Sequence, residues 1–160
     1  MERSSSFLAD IAARQGSIIL IDKPRGPSSH QVAAWVREIT GVSSVGHTGT
    51  LDPPVSGVLV ILLGRAVRLT TILHQDDKEY VALLRLQGDV SDVELAEVIQ
   101  HFTGRIYQRP PKRSAVKRAL RIREIHELEM LGRDGRLVLL RVKCDSGTYI
   151  RSLCHHIGMA

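Results

Sequence analysis

A twelve-residue loop at residues 46–57 places one carboxylate among small and turn-forming residues: it reads GHTGTLDPPVSG. Asp52, between Leu51 and Pro53, is the only acidic residue in this loop. Proline restricts its own backbone and biases the preceding residue towards an extended conformation, while glycines let a flat substrate approach the main chain. The loop could therefore present a carboxylate as a nucleophile or a general base. An aspartate among glycine and proline is also a common turn former, and the loop alone leaves both interpretations open.

Four further side chains have chemistry that suits a nucleic-acid base or a carboxylate. Tyr80, in KEY at the start of a predicted strand, offers a rigid ring that can stack on an extruded base. Arg151, in GTYIRSL, falls in the first turns of a predicted helix, where its guanidinium can pair with a carboxylate and keep it ionised. Lys23 stands between a strand end and a turn in IDKPRGPSS, and His47 precedes Asp52 by five residues.

Positive charge is concentrated at residues 105–123, which read RIYQRPPKRSAVKRALRIR. This basic segment holds eight of the 22 Lys and Arg and none of the 17 Asp and Glu, so the rest of the chain is net negative. Focused positive charge is typical of a surface that binds a polyanion, most often nucleic acid. A solvated basic face and a protein-binding face are the alternatives. The predicted RNA-binding residues in the segment are Lys112, Arg113, Lys117, Arg118 and Arg121.

Neither a disulfide framework nor a metal site is indicated. The chain has only two cysteines, Cys144 and Cys154. Cys154 is followed by His155 and His156, but zinc sites usually show paired ligands at short spacing. We therefore expect a buried thiol on a helix and no metal.

The elements that must position these residues follow from hydrophobic spacing and capping signals. A buried strand is predicted at residues 17–23, a continuously apolar strand at 58–63 and another strand at 79–87. A hairpin is predicted at residues 127–144 with Asp134-Gly135 at its tip. Helices are predicted after Ser28, up to Gly41; over residues 66–73; after Ser91, before Gly104; and from near Thr148. The hairpin and the short connections favour an α+β fold with a mixed, mostly antiparallel sheet flanked by helices.

The bulk composition, 43% hydrophobic and 24% charged over 160 residues, is that of a soluble globular protein and predicts one domain. The N-terminus has no apolar signal-peptide core, and the longest apolar run, VLVILL, is too short to cross a bilayer. We therefore expect a cytoplasmic protein without membrane association. The chain ends soon after the last predicted helix, at Met159-Ala160, and we expect a fragment of a longer protein.

Four ordered motifs resemble those of the TruB-type pseudouridine synthases: LIDKPRGPSSHQVAAWV, GHTGTLDPPVSG, KEYV and GTYIRSL. The segment FTGRIYQRPPKRSAVKRALRIREIHELEML is more similar to the dyskerin branch, the archaeal and eukaryotic enzymes that work with box H/ACA guide RNA, than to bacterial TruB. The resemblance implies the pseudouridine synthase fold for residues 16–160, after an N-terminal extension at residues 1–15. It also implies that the catalytic domain is incomplete at its C-terminal end and that the family's PUA domain is absent.

The resemblance carries roles to individual residues. Asp52 matches the catalytic aspartate, Tyr80 the tyrosine that stacks on the target uracil, and Arg151 the arginine paired with the aspartate. His47 matches a histidine near the flipped nucleotide, and Lys23 a basic residue that helps build the pocket.

The implied function is isomerisation of uridine to pseudouridine in tRNA, at the T-arm, in rRNA, or in both, without metal or organic cofactor. The implied partners are tRNA, rRNA, box H/ACA guide RNA and the other proteins of the H/ACA particle. A non-catalytic RNA-binding scaffold is the alternative, and it would need the basic segment but not the carboxylate. A glycosidic-bond hydrolase is a second rival; that chemistry usually uses two carboxylates, and these motifs supply only Asp52.

Overall fold

The computed structural model describes residues 10, 15–111 and 117–160. Two compact units divide the chain, Met1–Gln75 and Asp76–Ala160. The first unit carries the Asp52 loop, and the second carries Tyr80, the basic segment and Arg151. The assignment of residues 16–160 to one catalytic domain stays a prediction.

The first unit is built on three antiparallel strands in the order β1-β3-β2. They are β1 (Ser17–Lys23), β2 (Val45–His47) and β3 (Gly57–Leu63), and they are accompanied by helix α1 (Ser29–Thr40). A 3₁₀ turn (Gly64–Leu69) and the short helix α2 (Thr70–Leu73) follow β3. The core lies between α1, through residues such as Val32 and Val36, and the inward residues Leu59, Ile61 and Leu63 of β3.

Helix α1 begins and ends where its sequence predicts. The Ser28 hydroxyl accepts a hydrogen bond from the Gln31 amide at 3.2 Å, which satisfies one of the unpaired donors of the first turn. Gly41 closes the helix with φ +70°, a conformation that costs glycine little because it has no Cβ. The start of α1 matters for the Asp52 loop, because Ser29, the first residue of the helix, is hydrogen-bonded to Leu51 of that loop.

The second unit has four antiparallel strands in the order β4-β7-β6-β5. The strands are β4 (Lys78–Arg85), β5 (Gly104–Gln108), β6 (Arg121–Asp134) and β7 (Leu137–Cys144), with helices α3 (Asp92–His101) and α4 (Ile150–Ile157). One face of each helix packs on the sheet. The buried core consists of Leu84, Leu86, Leu95, Ile99, Ile125, Val138, Leu140, Val142, Cys144, Leu153 and Ile157.

The predicted α+β class is confirmed, and every strand pair in the described part of the chain is antiparallel. The hairpin turns at Gly135-Arg136, one residue later than predicted, because Asp134 still pairs with Leu137. Strand β4 ends at Arg85 rather than at residue 87. The sequence patterns did not predict β2 or β5. Both are short, three and five residues, and lie in segments that were interpreted only as the loop and as a basic surface.

Candidate active-site loop

The backbone on both sides of Asp52 is anchored to the segment that leads into α1. The Ser29 hydroxyl accepts a hydrogen bond from the Leu51 amide at 2.9 Å and donates one to the Leu51 carbonyl at 3.1 Å. On the other side, the Gly26 amide donates to the Pro53 carbonyl at 2.8 Å. The Val55 amide closes a turn on the Asp52 carbonyl at 2.9 Å. Asp52 is therefore held between two anchored neighbours.

The Gly26 anchor depends on a backbone conformation that other residues rarely adopt. Gly26 has φ +116°, and the space around it is open, since an added Cβ would meet nothing within 4 Å. The requirement for glycine is therefore conformational rather than steric. Sequence analysis placed Gly26 in the turn of IDKPRGPSS but did not connect it with the Asp52 loop.

Lys23, predicted to help build the pocket, is fully buried with 0% exposure. Its ammonium donates to the carbonyls of Pro24 and Pro27, both at 2.9 Å. The side chain thus ties together the turn that holds Gly26 and leads into Ser29. A buried ammonium needs such acceptors, because it has left the water that would otherwise solvate it.

His47 is half-buried at the start of the loop, and its hydrogen-bond partner defines its tautomer. Its Nδ1 lies 2.7 Å from the Gly49 carbonyl, which can only accept, so Nδ1 carries the hydrogen. Burial lowers the pKa of His47; the bond to Gly49 opposes this, and the nearby His30 and His74 add to the lowering. The ring is thus neutral at pH 7, and its Nε2 is an acceptor. His30 packs edge-on against it at 4.8 Å between ring centroids.

The second unit carries Tyr80 on β4 and Arg151 in the first turn of α4, and these two elements are in contact. Tyr80 is partly buried against the core, and it pairs with Val142 of β7. Burial raises the pKa of Tyr80, with a smaller contribution from Cys144, so the phenol is protonated at neutral pH. Arg151 is exposed.

A residue that sequence analysis missed holds the start of α4. Gln108, at the end of β5, is 2% exposed. Its amide nitrogen donates to the Tyr149 carbonyl at 3.1 Å, and its amide oxygen accepts from the Tyr149 amide at 2.9 Å. Tyr149 is the residue before α4 and makes no side-chain cap of its own. The only available signal was a polar residue on the inward side of β5, a strand that was itself not predicted.

The Asp52 loop lies within a region of the chain that matches a known protein family. Residues 37–150 match the N-terminal domain of the TruB family pseudouridylate synthases. The chain belongs to this family. The match contains His47, Asp52 and Tyr80, whereas Lys23 and Arg151 lie outside its limits.

Relatives and solved structures extend the similarity over most of the chain. It is 55% identical over 143 residues to the probable tRNA pseudouridine synthase B of Methanocaldococcus jannaschii, covering 89% of this chain and 43% of that protein. The corresponding protein of Thermoplasma volcanium is 56% identical over 140 residues, covering 88% and 40%.

Among solved structures, a Cbf5–Nop10–Gar1 complex contains a chain that matches with a TM-score of 0.87 and 50% identity, over 94% of this chain and 46% of that one. A chain of an H/ACA RNP bound to a substrate RNA containing 2′-deoxyuridine matches with a TM-score of 0.83 and 45% identity, over 94% and 44%. The chain thus spans less than half the length of these proteins.

The basic segment in this family member is only partly described. Lys112 and Arg113 lie outside the described residues. Lys117 and Arg118 are exposed, and Arg118 Nε donates to the Pro110 carbonyl at 3.0 Å. Arg121 begins β6 and pairs with the strand residue Gln108. Part of the predicted basic surface is therefore carried on β5 and β6.

One group of side chains could offer donors to a metal ion. Asp77, His126 and Asp145 have ligand atoms within 4.8 Å of one another, and no other such group occurs among residues 10, 15–111 and 117–160. A β-bulge presents His126, whose Nε2 lies 3.4 Å from Asp77 Oδ1 and 3.3 Å from Asp145 Oδ1. The two carboxylates thus flank the imidazole of His126.

Within the described ranges, no helix is long and apolar enough to cross a membrane.

Proposed function

We propose that the chain carries the catalytic loop of an RNA pseudouridine synthase. The observation that carries this proposal is Asp52, held between hydrogen-bonded neighbours in a loop that belongs to the matched region of the family. The reaction breaks the bond from C1′ to N1 of a uridine and joins C1′ to C5. The C5 hydrogen leaves as a proton and N1 gains one, so the product is an isomer of the substrate.

One carboxylate is sufficient for this chemistry in principle. Asp52 acts either as a nucleophile on the sugar or as the base that removes a sugar proton. Both routes need a base that has left the helix stack, because the glycosidic bond is shielded in paired RNA. An anchored loop suits this task, because it holds the carboxylate in position before the base arrives.

The family resemblance supplies the remaining roles. Tyr80 stacks on the uracil, and its protonated phenol presents an uncharged ring. Arg151 matches the arginine that the family pairs with this aspartate, and we assign it the role of orienting the carboxylate. His47 lies near the flipped nucleotide and, as a neutral imidazole, offers Nε2 as an acceptor to an N–H or O–H group of the RNA. Lys23 supports the pocket through the turn that it holds.

The substrates we propose are tRNA, rRNA, or both, with rRNA sites selected by a box H/ACA guide RNA. The names of the relatives support tRNA, and the solved H/ACA complexes support a guide RNA and partner proteins of that particle. The cations of the basic segment neutralise RNA phosphates and position the RNA without reading its sequence. We propose the cytoplasm as the compartment in which these RNAs are modified.

The test is tritium release from RNA labelled at C5 of uridine. The full-length protein is assayed with a tRNA transcript and, separately, with guide RNA and the H/ACA proteins. Asp52→Ala and the nearly isosteric Asp52→Asn are compared with the native chain. We expect release from at least one substrate in the native protein and none in either variant.

Other outcomes identify the rivals. Release of free uracil would identify a glycosidic-bond hydrolase. RNA binding without release by the native chain would support the non-catalytic scaffold, for which the basic segment suffices. Near-normal turnover by Asp52→Asn would show that this carboxylate is not the catalytic group.

A further inference from the structure

We propose that two buried polar side chains, Ser29 and Gln108, are positioning residues for Asp52 and Arg151. Each side chain donates one hydrogen bond to, and accepts one from, the backbone of a single residue. Ser29 binds Leu51, next to Asp52, and Gln108 binds Tyr149, two residues before Arg151. This inference deepens the proposed function and rests on it, because it names residues that act on the catalytic loop and on the start of α4 rather than on the substrate.

The Ser29 contact fixes the orientation of a peptide group, not only its distance. A hydroxyl has one hydrogen and two lone pairs. Ser29 donates its hydrogen to the Leu51 carbonyl and accepts the Leu51 amide hydrogen with one lone pair. The Leu51 carbonyl shares a rigid peptide plane with the nitrogen and Cα of Asp52. Holding that carbonyl therefore restricts where the Asp52 side chain begins.

The neighbouring serine shows that this contact is separate from helix capping. Ser28 caps α1 through Gln31, whereas the Ser29 hydroxyl reaches across 22 residues to the loop. Ser29 is also fully buried, so no water replaces a lost partner. Two adjacent hydroxyls thus have different tasks, and the Ser28 variant is a matched control for the Ser29 variant.

Gln108 acts in the same way on the second unit. Its amide donates to and accepts from Tyr149, which is 41 residues away in sequence. The Tyr149 carbonyl shares its peptide plane with Ile150, the first residue of α4. A helix is a stiff element, so holding its first peptide also holds Arg151 one residue later.

A purely structural role makes a different prediction. Most buried polar groups are hydrogen-bonded, and removing one partner of such a bond lowers stability. If that were all, the Ser29 and Gln108 variants would melt earlier but turn over normally once folded. A positioning residue instead lowers kcat in the folded protein while RNA affinity stays unchanged.

The experiment measures kcat by single-turnover tritium release, RNA affinity and thermal stability in the full-length protein. We expect Ser29→Ala to lower kcat by about 10- to 100-fold, since a displacement of the order of 1 Å is enough for such a loss. Ser28→Ala lowers the melting temperature but keeps kcat within about twofold, because it removes only a helix cap. Ser29→Thr, which keeps the hydroxyl, restores activity relative to Ser29→Ala.

For Gln108 the variants separate the two hydrogen bonds. Gln108→Glu keeps an acceptor for the Tyr149 amide and loses the donor, whereas Gln108→Met loses both at similar length. We expect kcat to fall in the order Gln, Glu, Met. Ile99→Val, a core change in α3 that removes no hydrogen bond to Tyr149, serves as the stability control.

A normal kcat in folded Ser29→Ala and Gln108→Met would overturn the proposal. Hydrogen exchange of the Leu51 and Tyr149 amides, which donate to Ser29 and Gln108, gives a readout that does not need activity. If the native chain releases no tritium from any RNA, the proposed function fails. In that case the positioning contacts are supported only if protection of these amides from hydrogen exchange falls in Ser29→Ala and Gln108→Met. The same protection must persist in Ser28→Ala and Ile99→Val.

Discussion

The conformation of Gly26 gives a prediction whose size follows from the backbone alone. Three glycines of the first unit have open space where a side chain would start, because an added Cβ would meet nothing within 4 Å: Gly26, Gly41 and Gly49. They differ in φ, which is +116° at Gly26, +70° at Gly41 and not in the positive range at Gly49. Alanine at each position therefore measures backbone strain without a steric clash.

We expect the destabilisation to follow φ. Gly49→Ala should change the free energy of unfolding by no more than about 0.5 kcal/mol, as for an ordinary surface site. Gly41→Ala places alanine in the left-handed helical region at a cost of about 1–2 kcal/mol. Gly26→Ala lies beyond that region and should cost about 2–3 kcal/mol, near the upper end for a strained residue.

The assay is urea unfolding of the three variants beside the native chain. A shift in midpoint with an unchanged slope reports stability alone. Activity adds a second test, because the Gly26 amide holds the Pro53 carbonyl and Gly41 only ends a helix. We expect Gly26→Ala to lower kcat and Gly41→Ala to leave it unchanged. Equal stability of Gly26→Ala and Gly49→Ala would refute the reasoning from φ.

Three other perturbations test separate groups. The pKa of His47 is lower in the folded state than the ordinary 6.5, so the stability that His47 contributes is present above about pH 6.5 and is lost as the pH falls through the folded pKa. The free energy of unfolding, measured by urea titration, should therefore decline less steeply between about pH 7 and pH 5 in His47→Gln than in the native chain. Charge reversal at Arg118 and Arg121 should weaken RNA binding. The slope of the logarithm of the RNA-binding constant against the logarithm of salt concentration should become shallower by about 0.7–0.9 for each phosphate that is no longer neutralised. An unchanged slope would assign the segment to a protein-facing role. Tyr80→Phe should retain turnover in the tritium assay, while Tyr80→Ala should lose about 1–3 kcal/mol of stacking, and equal activity of the two would contradict the stacking role.

Elements with local signals were predicted well. Ser28 and Gly41 bound α1 as expected, and Ser91 with Glu94 forms the complete capping box of α3. Strand β1 has the predicted limits but is not buried throughout, since Ile18 and Leu20 are exposed; VLVILL is a strand that is mostly buried, apart from the exposed Val58. Each signal is read from residues at most a few positions apart, so no knowledge of the rest of the fold is needed.

Short elements were missed because their stability comes from pairing. Strand β2 has three residues and exists through its ladder with β3, and β5 exists through its ladder with β6. Neither has enough residues for a hydrophobic period to be visible. The hairpin tip differed by one residue because strand register, not the Asp-Gly signal alone, decides which residues form the turn.

The sequence by itself determined the family, the loop and the identity of its carboxylate, because the types and order of a few residues define the chemistry that they can perform. The tertiary structure decided how the backbone beside that carboxylate and, in the second unit, the start of α4 are held. The contacts of Ser29 with Leu51 and of Gln108 with Tyr149 join residues 22 and 41 positions apart. No local pattern specifies such contacts, since a buried serine or glutamine acquires its partner only when folding brings distant backbone to it and removes the water that would otherwise compete.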